Sequence, residues 1–330
     1  MEEPKTLQQA ILYFADPDRC IAYLAQSRWP DGVAVCPTCG RRDVSYVAKR
    51  RVWQCKSRHP KAQFSIKVGT IFEDSPIGLD KWLMAMWMVA NCKNGVSSYE
   101  IHRGIKVTQK TAWFMLHRIR LAMKDEPTEK IGLFGPVEID ETFVGGRMKN
   151  VHKSKRPRTS ATQGGKGKAI VLGMLERGGP VRTRVIVDRT KPTIDPIISA
   201  HVADGAHIIT DEFPVYPHLS TKYLHDIINH AEEYVRGHIH TNGMENFWSL
   251  LKRGLNGTYV SVEPFHLTRY VEEQVFRYNN RATADNPLND GDRFALVVSQ
   301  IVGRRITYKE LTGKTATNEG DARQDAAEPF

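Results

Sequence analysis

Two groups of side chains in this 330-residue chain have the types and spacings that chemistry requires. The first is Cys36-Pro-Thr-Cys39-Gly40, with Cys55 sixteen positions after Cys39 and His59 four after Cys55. Two thiolates separated by two residues can reach one tetrahedral ion, and the glycine lets backbone amides turn toward the sulfurs. Cys36, Cys39, Cys55 and His59 are therefore expected to hold one structural zinc, since a closed four-ligand site leaves no open position for catalysis. Ordinary buried cysteines or a redox pair are the alternatives. The surrounding segment is small and polar, which favours folding on a metal rather than on a core alone. Cys20 and Cys92 stand apart and read as packing residues.

The second group is acidic. Asp140 lies inside Val137-Glu138-Ile139-Asp140-Glu141-Thr142-Phe143, where strand alternation puts Glu138, Asp140 and Thr142 on one face. An acid in the middle of an apolar strand opposes β-propensity and needs a partner, and a metal ion would serve. Asp211 ends a strand expected over residues 207–210, at the edge where α/β sheets place ligands. Glu245 lies on a helix expected over residues 244–255. Helical spacing gives Met244, Phe247, Trp248, Leu251 and Leu255 one apolar face. Glu245, Ser249, Lys252 and Asn256 form an adjacent polar stripe, which suits holding a metal and a phosphate backbone together. Asn242 and Glu245 also have capping-box spacing, so Glu245 could serve only its helix.

The elements that must position these groups divide the chain. Residues 1–30 read as a helical lead-in, 31–75 as a zinc ribbon with short alternating β runs, and 76–128 as a helical DNA-binding unit. Residues 135–283 read as an α/β unit. It has strands over 137–144, 169–176, 181–188, 207–210 and 223–228, and helices over 194–202, 244–255 and 264–278. Residues 284–330 form a C-terminal extension whose small, polar end from 312 reads as disordered. The fold class is multidomain α+β.

Composition narrows the function classes. The net charge is +10 and the pI near 9.3, which favours a polyanionic partner, nucleic acid first among them. The longest apolar run, residues 82–90, is about half the roughly 20 residues a membrane span needs. The polar, acidic residues 1–10 do not read as a signal peptide, and grouped cysteines fit a reducing cytoplasm.

Residues 97–103 and 109–123 read as two helices joined by Gly104-Ile105-Lys106-Val107 and capped at Thr108. That is helix-turn-helix grammar, with a plain helical hairpin as the alternative. On the first reading Gln109, Lys110 and Thr111 face base edges, while His117, Arg118 and Arg120 face the groove wall or phosphates. From Gly145 through Lys168 there are eight Lys or Arg, including Lys153, Lys155 and Arg156, and no acid, a segment expected to touch DNA backbone. His238 and His240 could be a metal pair in a zinc hydrolase, but no acid stands at the usual zincin spacing.

Taken together, the order strand acid, hairpin, strand acid, helix acid resembles an RNase H-like fold carrying an Asp-Asp-Glu triad. The 33 residues between Asp211 and Glu245 are similar to the spacing in retroviral integrases and many transposases. The wording resembles most closely the bacterial insertion-sequence transposases with an N-terminal zinc ribbon. The resemblance rests on Arg28-Trp29-Pro30-Asp31-Gly32, on Phe64-Ser65 leading to Gly69-Thr70-Ile71-Phe72, and on Glu138-Ile139-Asp140-Glu141-Thr142 with Gly145-Gly146. It also rests on Thr210-Asp211 and on His240-Thr241-Asn242-Gly243-Met244-Glu245-Asn246-Phe247-Trp248 with Leu251-Lys252-Arg253. It spans roughly residues 15–283. Many relatives close the ribbon with a second Cys-x2-Cys, where this chain has Cys55-Lys-Ser-Arg-His59.

The resemblance implies two-metal phosphoryl transfer at Asp140, Asp211 and Glu245 with magnesium or manganese. It implies double-stranded DNA as partner, both terminal repeats and target, with Lys252 and Arg253 near the backbone. It implies a homodimer or larger assembly, and a cytoplasmic, nucleoid-associated place in a bacterium. A non-catalytic DNA-binding relative, or an RNase H-like nuclease without strand transfer, are the alternatives.

Overall fold

The structure, a computed structural model, describes residues 2–125, 129–145, 168–211, 216–228, 240–284 and 286–313. In the N-terminal half, α1 (Leu7–Phe14) starts with a capping box between Thr6 and Gln9, and α2 (Pro17–Arg28) with the Asp16 cap and a proline in its first turn. A small antiparallel sheet follows, β1 (Val44–Val47), β2 (Val52–Cys55) and β3 (Gln63–Phe64). Then come α3 (Leu79–Asn91), α4 (Ser98–Ile105) and α5 (Gln109–Met123). Thr108 caps α5 as its type and position predict, its hydroxyl accepting from the Thr111 amide at 3.1 Å.

The lead-in, ribbon and helical units expected for residues 1–128 share one apolar core. That core also takes residues from the far end of the chain. The expected C-terminal extension contains α9 (Asp290–Ser299), whose Phe294, Val297 and Val298, with Ile301 beyond it, are buried among Phe14, Tyr23 and Trp87. The spacing 294, 297, 298, 301 is a helical stripe, and it finds its complement in α3 rather than in water. A short α10 (Tyr308–Leu311) follows. The disorder expected of the tail from 312 falls almost wholly outside the described residues.

The α/β unit is a five-stranded mixed sheet in the order β6-β5-β4-β7-β8. Its strands are β4 (Val137–Val144), β5 (Ala169–Glu176), β6 (Val181–Ile186), β7 (His207–Asp211) and β8 (Leu224–Ile228). β4, β5 and β6 pair antiparallel, whereas β4, β7 and β8 run parallel. Helix α6 (Lys191–His201) covers one face through Ile194 and Ile198. Helices α7 (Asn242–Arg253) and α8 (Leu267–Asn279) cover the other through Met244, Phe247, Trp248 and Val271. This arrangement is consistent with the RNase H-like fold expected from the sequence. The helix expected over 264–278 is broken, because Pro264–His266 is a 3-10 turn before α8 begins. Among the described residues no helix is long and apolar enough to cross a membrane.

The two halves meet at α5 and α8. Arg120, 1% exposed, donates from Nε to the fully buried Glu273 at 2.5 Å and stacks on the Tyr270 ring 3.9 Å away. Arg277 and the Tyr259 hydroxyl also donate to Glu273. Burial opposes the charged form of Glu273, but the two guanidiniums outweigh it and hold the carboxyl down at about 2. Breaking one partner of such a pair strands a charge without water. Arg120→Ala should therefore lower unfolding free energy by about 3–5 kcal/mol in denaturant titration. A loss below about 1 kcal/mol, the range of an exposed pair, would contradict the burial.

Candidate metal and nucleic-acid sites

The ribbon brings its four expected ligands together. The donor atoms of Cys36, Cys39, Cys55 and His59 all lie within 4.8 Å of one another. Cys36 Sγ is 3.5 Å from His59 Nε2, and Cys39 Sγ is 3.7 Å from Cys55 Sγ. His59 closes the site in place of a fourth cysteine. Its Nδ1 meets the Pro60 carbonyl at 2.7 Å, which leaves Nε2 for a metal. Contact with His59 pulls the Cys55 thiol down to about 6, toward the thiolate that zinc needs. Three sulfurs and an imidazole nitrogen are the donor set of a structural zinc.

The acidic site is built on the edge of β4 and β7. Ile139 pairs with Thr210 in the parallel register, so Asp140 and Asp211 follow side by side on adjacent strands. Glu138 and Asp140 share the face toward α7, as alternation predicts. Asp140 Oδ2 accepts from the Trp248 indole at 2.9 Å, and Oδ1 accepts from the Glu141 amide at 2.8 Å. Burial, with repulsion from Asp211 and Glu245, raises the Asp140 carboxyl to about 6 despite the indole. Glu245 lies in the first turn of α7, exposed, where its charge reaches Asp140. The three acids do not close to the 4.8 Å spacing of the ribbon ligands. Hard carboxylate oxygens that repel one another suit magnesium or manganese.

Glu245 is not a cap. Helix α7 begins at Asn242, its N-cap position is Thr241, and no side chain there accepts from the first turn. Glu138 takes that duty from the neighbouring strand. Its Oε2 accepts from the Met244 amide at 2.9 Å, and its Oε1 pairs with Arg177 Nε at 2.7 Å. Arg177 in turn donates to the His240 carbonyl at 2.6 Å. His240 Nδ1 lies 3.5 Å from Glu138, so this histidine belongs to the clamp at the start of α7. His238, its proposed metal partner, lies outside the described residues. Gly243 leaves the room the clamp needs, because a Cβ there would lie 2.8 Å from Glu138 Oε2.

Four contributors were not singled out from sequence as part of the site. Glu138 was placed on the right face but given no role. Trp248 reads as core, although a buried indole N–H needs an acceptor and so points to one nearby. Gly173 pairs with Asp140 across the sheet, and a Cβ there would lie 2.6 Å from the Trp248 ring. Glu141, on the other face, accepts from the buried Tyr216 hydroxyl, and burial raises its carboxyl to about 7.

The expected DNA contacts divide. Lys252 and Arg253 are exposed in the last turn of α7, on or beside the stripe that carries Glu245. Lys153, Lys155 and Arg156 lie outside the described residues. Lys110 is exposed, its ammonium 4.7 Å from the Tyr308 ring centre, and Gln109 donates to Ser98 Oγ at 2.9 Å. Arg118 and Arg120 do not face a groove. Arg118 is 4% exposed and donates to the carbonyls of Ile71, Glu73 and Ile306, and Arg120 is held by Glu273. His117 is fully buried between Trp113 and His266, and burial keeps it neutral. These three side chains are on the inner face of α5 because α8 and the segment after α9 cover it.

Comparison with known proteins agrees with this anatomy. Residues 132–279 match the ISXO2-like transposase domain, and residues 16–57 match a transposase zinc-ribbon domain. An uncharacterized protein in transposable element ISH50 of Halobacterium salinarum is 29% identical over 282 residues, which is 80% of this chain and 93% of that protein. No solved structure matches the chain.

Two outcomes are expected. Elemental analysis should find stoichiometric zinc in the parent and none after Cys55 is replaced with serine, and the ribbon of that variant should be cut first in limited proteolysis. The second concerns pH. A carboxyl whose folded value lies above its unfolded one holds its proton more tightly in the native state. Its stabilising contribution is complete below about pH 4 and is lost as pH rises through the folded value. With Asp140 at about 6 and Glu141 at about 7, the metal-free protein should lose melting temperature between about pH 4 and 7. Asp140→Asn keeps an acceptor for Trp248 and removes the charge. It should gain roughly 1–3 kcal/mol over the parent at pH 7.5 without metal. Equal melting curves for the two at that pH would refute the raised Asp140 carboxyl.

Proposed function

We propose, from a chain that belongs to the insertion-sequence transposases with an N-terminal zinc ribbon, that this protein cuts DNA at the ends of its element and joins those ends to target DNA. The observation that carries this reading is the placement of Asp140 and Asp211 side by side on parallel strands, with Glu245 close enough to repel Asp140 from α7. Two magnesium or manganese ions held by these carboxylates would supply an activated nucleophile and a stabilised leaving oxygen.

The chain's own residues do the positioning. Trp248 fixes the rotamer of Asp140 through its indole N–H, and Gly173 leaves the space for that ring. Glu138 ties the start of α7 to β4, so Glu245 approaches Asp140 from a fixed direction. Lys252 and Arg253, exposed at the other end of α7, are placed to hold the DNA backbone. In the first step a water oxygen attacks the phosphate at the element end, and the 3′ oxygen leaves with a proton. In the second, that 3′ hydroxyl attacks a target phosphodiester, and a target 3′ oxygen leaves. The bond count is conserved, so no nucleotide cofactor is needed. Cutting two ends and joining them together calls for a dimer or larger assembly on DNA, and places the protein at the nucleoid.

The test uses the purified chain, a duplex carrying the ends of its own element, a target plasmid and magnesium. The parent should give cleaved and joined products. Asp140→Asn, Asp211→Asn and Glu245→Gln should each lower both by at least about a hundredfold, the scale of removing a group that stabilises the transition state. Cleavage without joining would replace this reading with that of a nuclease. Mutants equal to the parent would overturn the site.

A further inference from the structure

The burial of Arg118 and Arg120 removes most of the charge that made α5 resemble a DNA-reading helix. Other cations of this unit, Arg103 and Lys106 among them, do face solvent. An open cleft of about 560 Å³ lies between α3 and the α4–turn–α5 segment, lined by Lys81, His102, Arg103, Lys106, Thr108 and Thr111, with Ile77 and Val107 as its apolar part. Lys81 comes from α3, Arg103 from α4, Lys106 from the turn, and the threonines from the start of α5. No acid is among the residues that line it. Arg103 and Lys106 are exposed. Lys81 Nζ donates to the Lys106 carbonyl at 3.1 Å, which fastens the turn to α3 and leaves other ammonium hydrogens for a ligand. His102 Nδ1 meets the Val107 carbonyl and holds the other side of the same turn.

Lys106 adds an observation of a different kind. It ends α4 with φ 53° and ψ 63°, in the left-handed region. Glycine or asparagine is usual at that helix end, because a Cβ there meets the following carbonyl. Folding alone therefore favours a glycine at a position where this chain carries a long cation aimed at solvent. The positive end of the fifteen-residue α5 opens onto the same cleft.

We propose that this cleft seats the phosphodiester backbone of double-stranded DNA, with Lys81, Arg103 and Lys106 as its phosphate contacts. It rests on reading the chain as a DNA-processing protein, and it moves the phosphate contacts of the helical unit from His117, Arg118 and Arg120 on the inner face of α5 to the cleft at its N-terminal end. A phosphate run seated there brings Gln109 and Lys110 next to the adjoining groove.

Fluorescence anisotropy with a random-sequence duplex, in buffer without magnesium, tests this. Binding of the full-length zinc-loaded chain is measured across roughly 50–200 mM salt, where each phosphate contact contributes about 0.9 to the slope of log K against log salt. The combined variant Lys81→Gln, Arg103→Gln, Lys106→Gln should lose about 2–3 from that slope. Lys106→Gly should lose about 1 while melting no lower than the parent, because glycine relaxes the left-handed backbone. A combined variant that keeps its melting temperature and its slope overturns the proposal, as does a Lys106→Gly protein with an unchanged slope. Cleavage is scored separately with magnesium, so a catalytically silent parent would sink the enzyme reading and leave the slope to decide the cleft.

Discussion

A carboxylate cut off from water must be surrounded by positive charge or lose its own. Glu273 keeps its charge because Arg120, Arg277 and the Tyr259 hydroxyl converge on it, each from a different stretch of chain. That requirement joins the halves of the molecule. Arg120 belongs to α5 in the N-terminal unit, while Glu273 and Arg277 belong to α8, which lies on the sheet with α7. Gly95 completes the packing, since a Cβ there would lie 1.9 Å from the Tyr259 hydroxyl. Any rotation of the helical unit against the sheet would have to separate charges in a place where water cannot replace them.

The acidic site has the opposite economy. There the charges are alike, and the fold holds them near one another by neutral means: an indole donor, a glycine notch and the Glu138 clamp on α7. The clamp sets direction without contributing charge to the site, because Arg177 balances Glu138. In the ribbon, too, donors that would be thiolates are brought close together. In both places the apolar framework supplies the energy that holds like donors in reach, and each site sits beside a core cluster.

The parts of this architecture that sequence made legible are those whose partners are near in the chain or whose type is out of place. Asp140 showed itself as an acid within a strand, and Thr108 as a hydroxyl before a helical run. Cys36 and Cys39 showed a metal spacing. The strands β4 and β5 could be bounded to the residue because their apolar runs end at glycines and charges. Arg118 and Arg120 could not be read, because a guanidinium on a helix has the same letter whether it faces a phosphate or a carbonyl. What decides between them is Ile306 and Glu273, 188 and 153 positions away. The Glu138 clamp was hidden by a nearer explanation. Asn242 and Glu245 have the spacing of a local cap, yet a side chain from a strand 106 positions earlier reaches the helix first. Trp248 and Gly173 were hidden because one looks like core and the other like an ordinary strand residue until their mutual contact is seen.

The placement of α9 has a consequence for how the protein comes into being. A chain leaves the ribosome from its N-terminus, and most domains can fold as they emerge. Here the apolar core that contains Phe14, Tyr23 and Trp87 is incomplete until Phe294, Val297, Val298 and Ile301 arrive. The five-stranded sheet and its helices have all their strands by residue 228 and their last helix by residue 279. During synthesis the half built on the five-stranded sheet is therefore ready to assemble before the N-terminal half is closed. Helix α9 acts as a fastener on the N-terminal helices, and a message truncated before residue 290 would yield a sheet with its acids in place and an N-terminal unit still missing part of its interior.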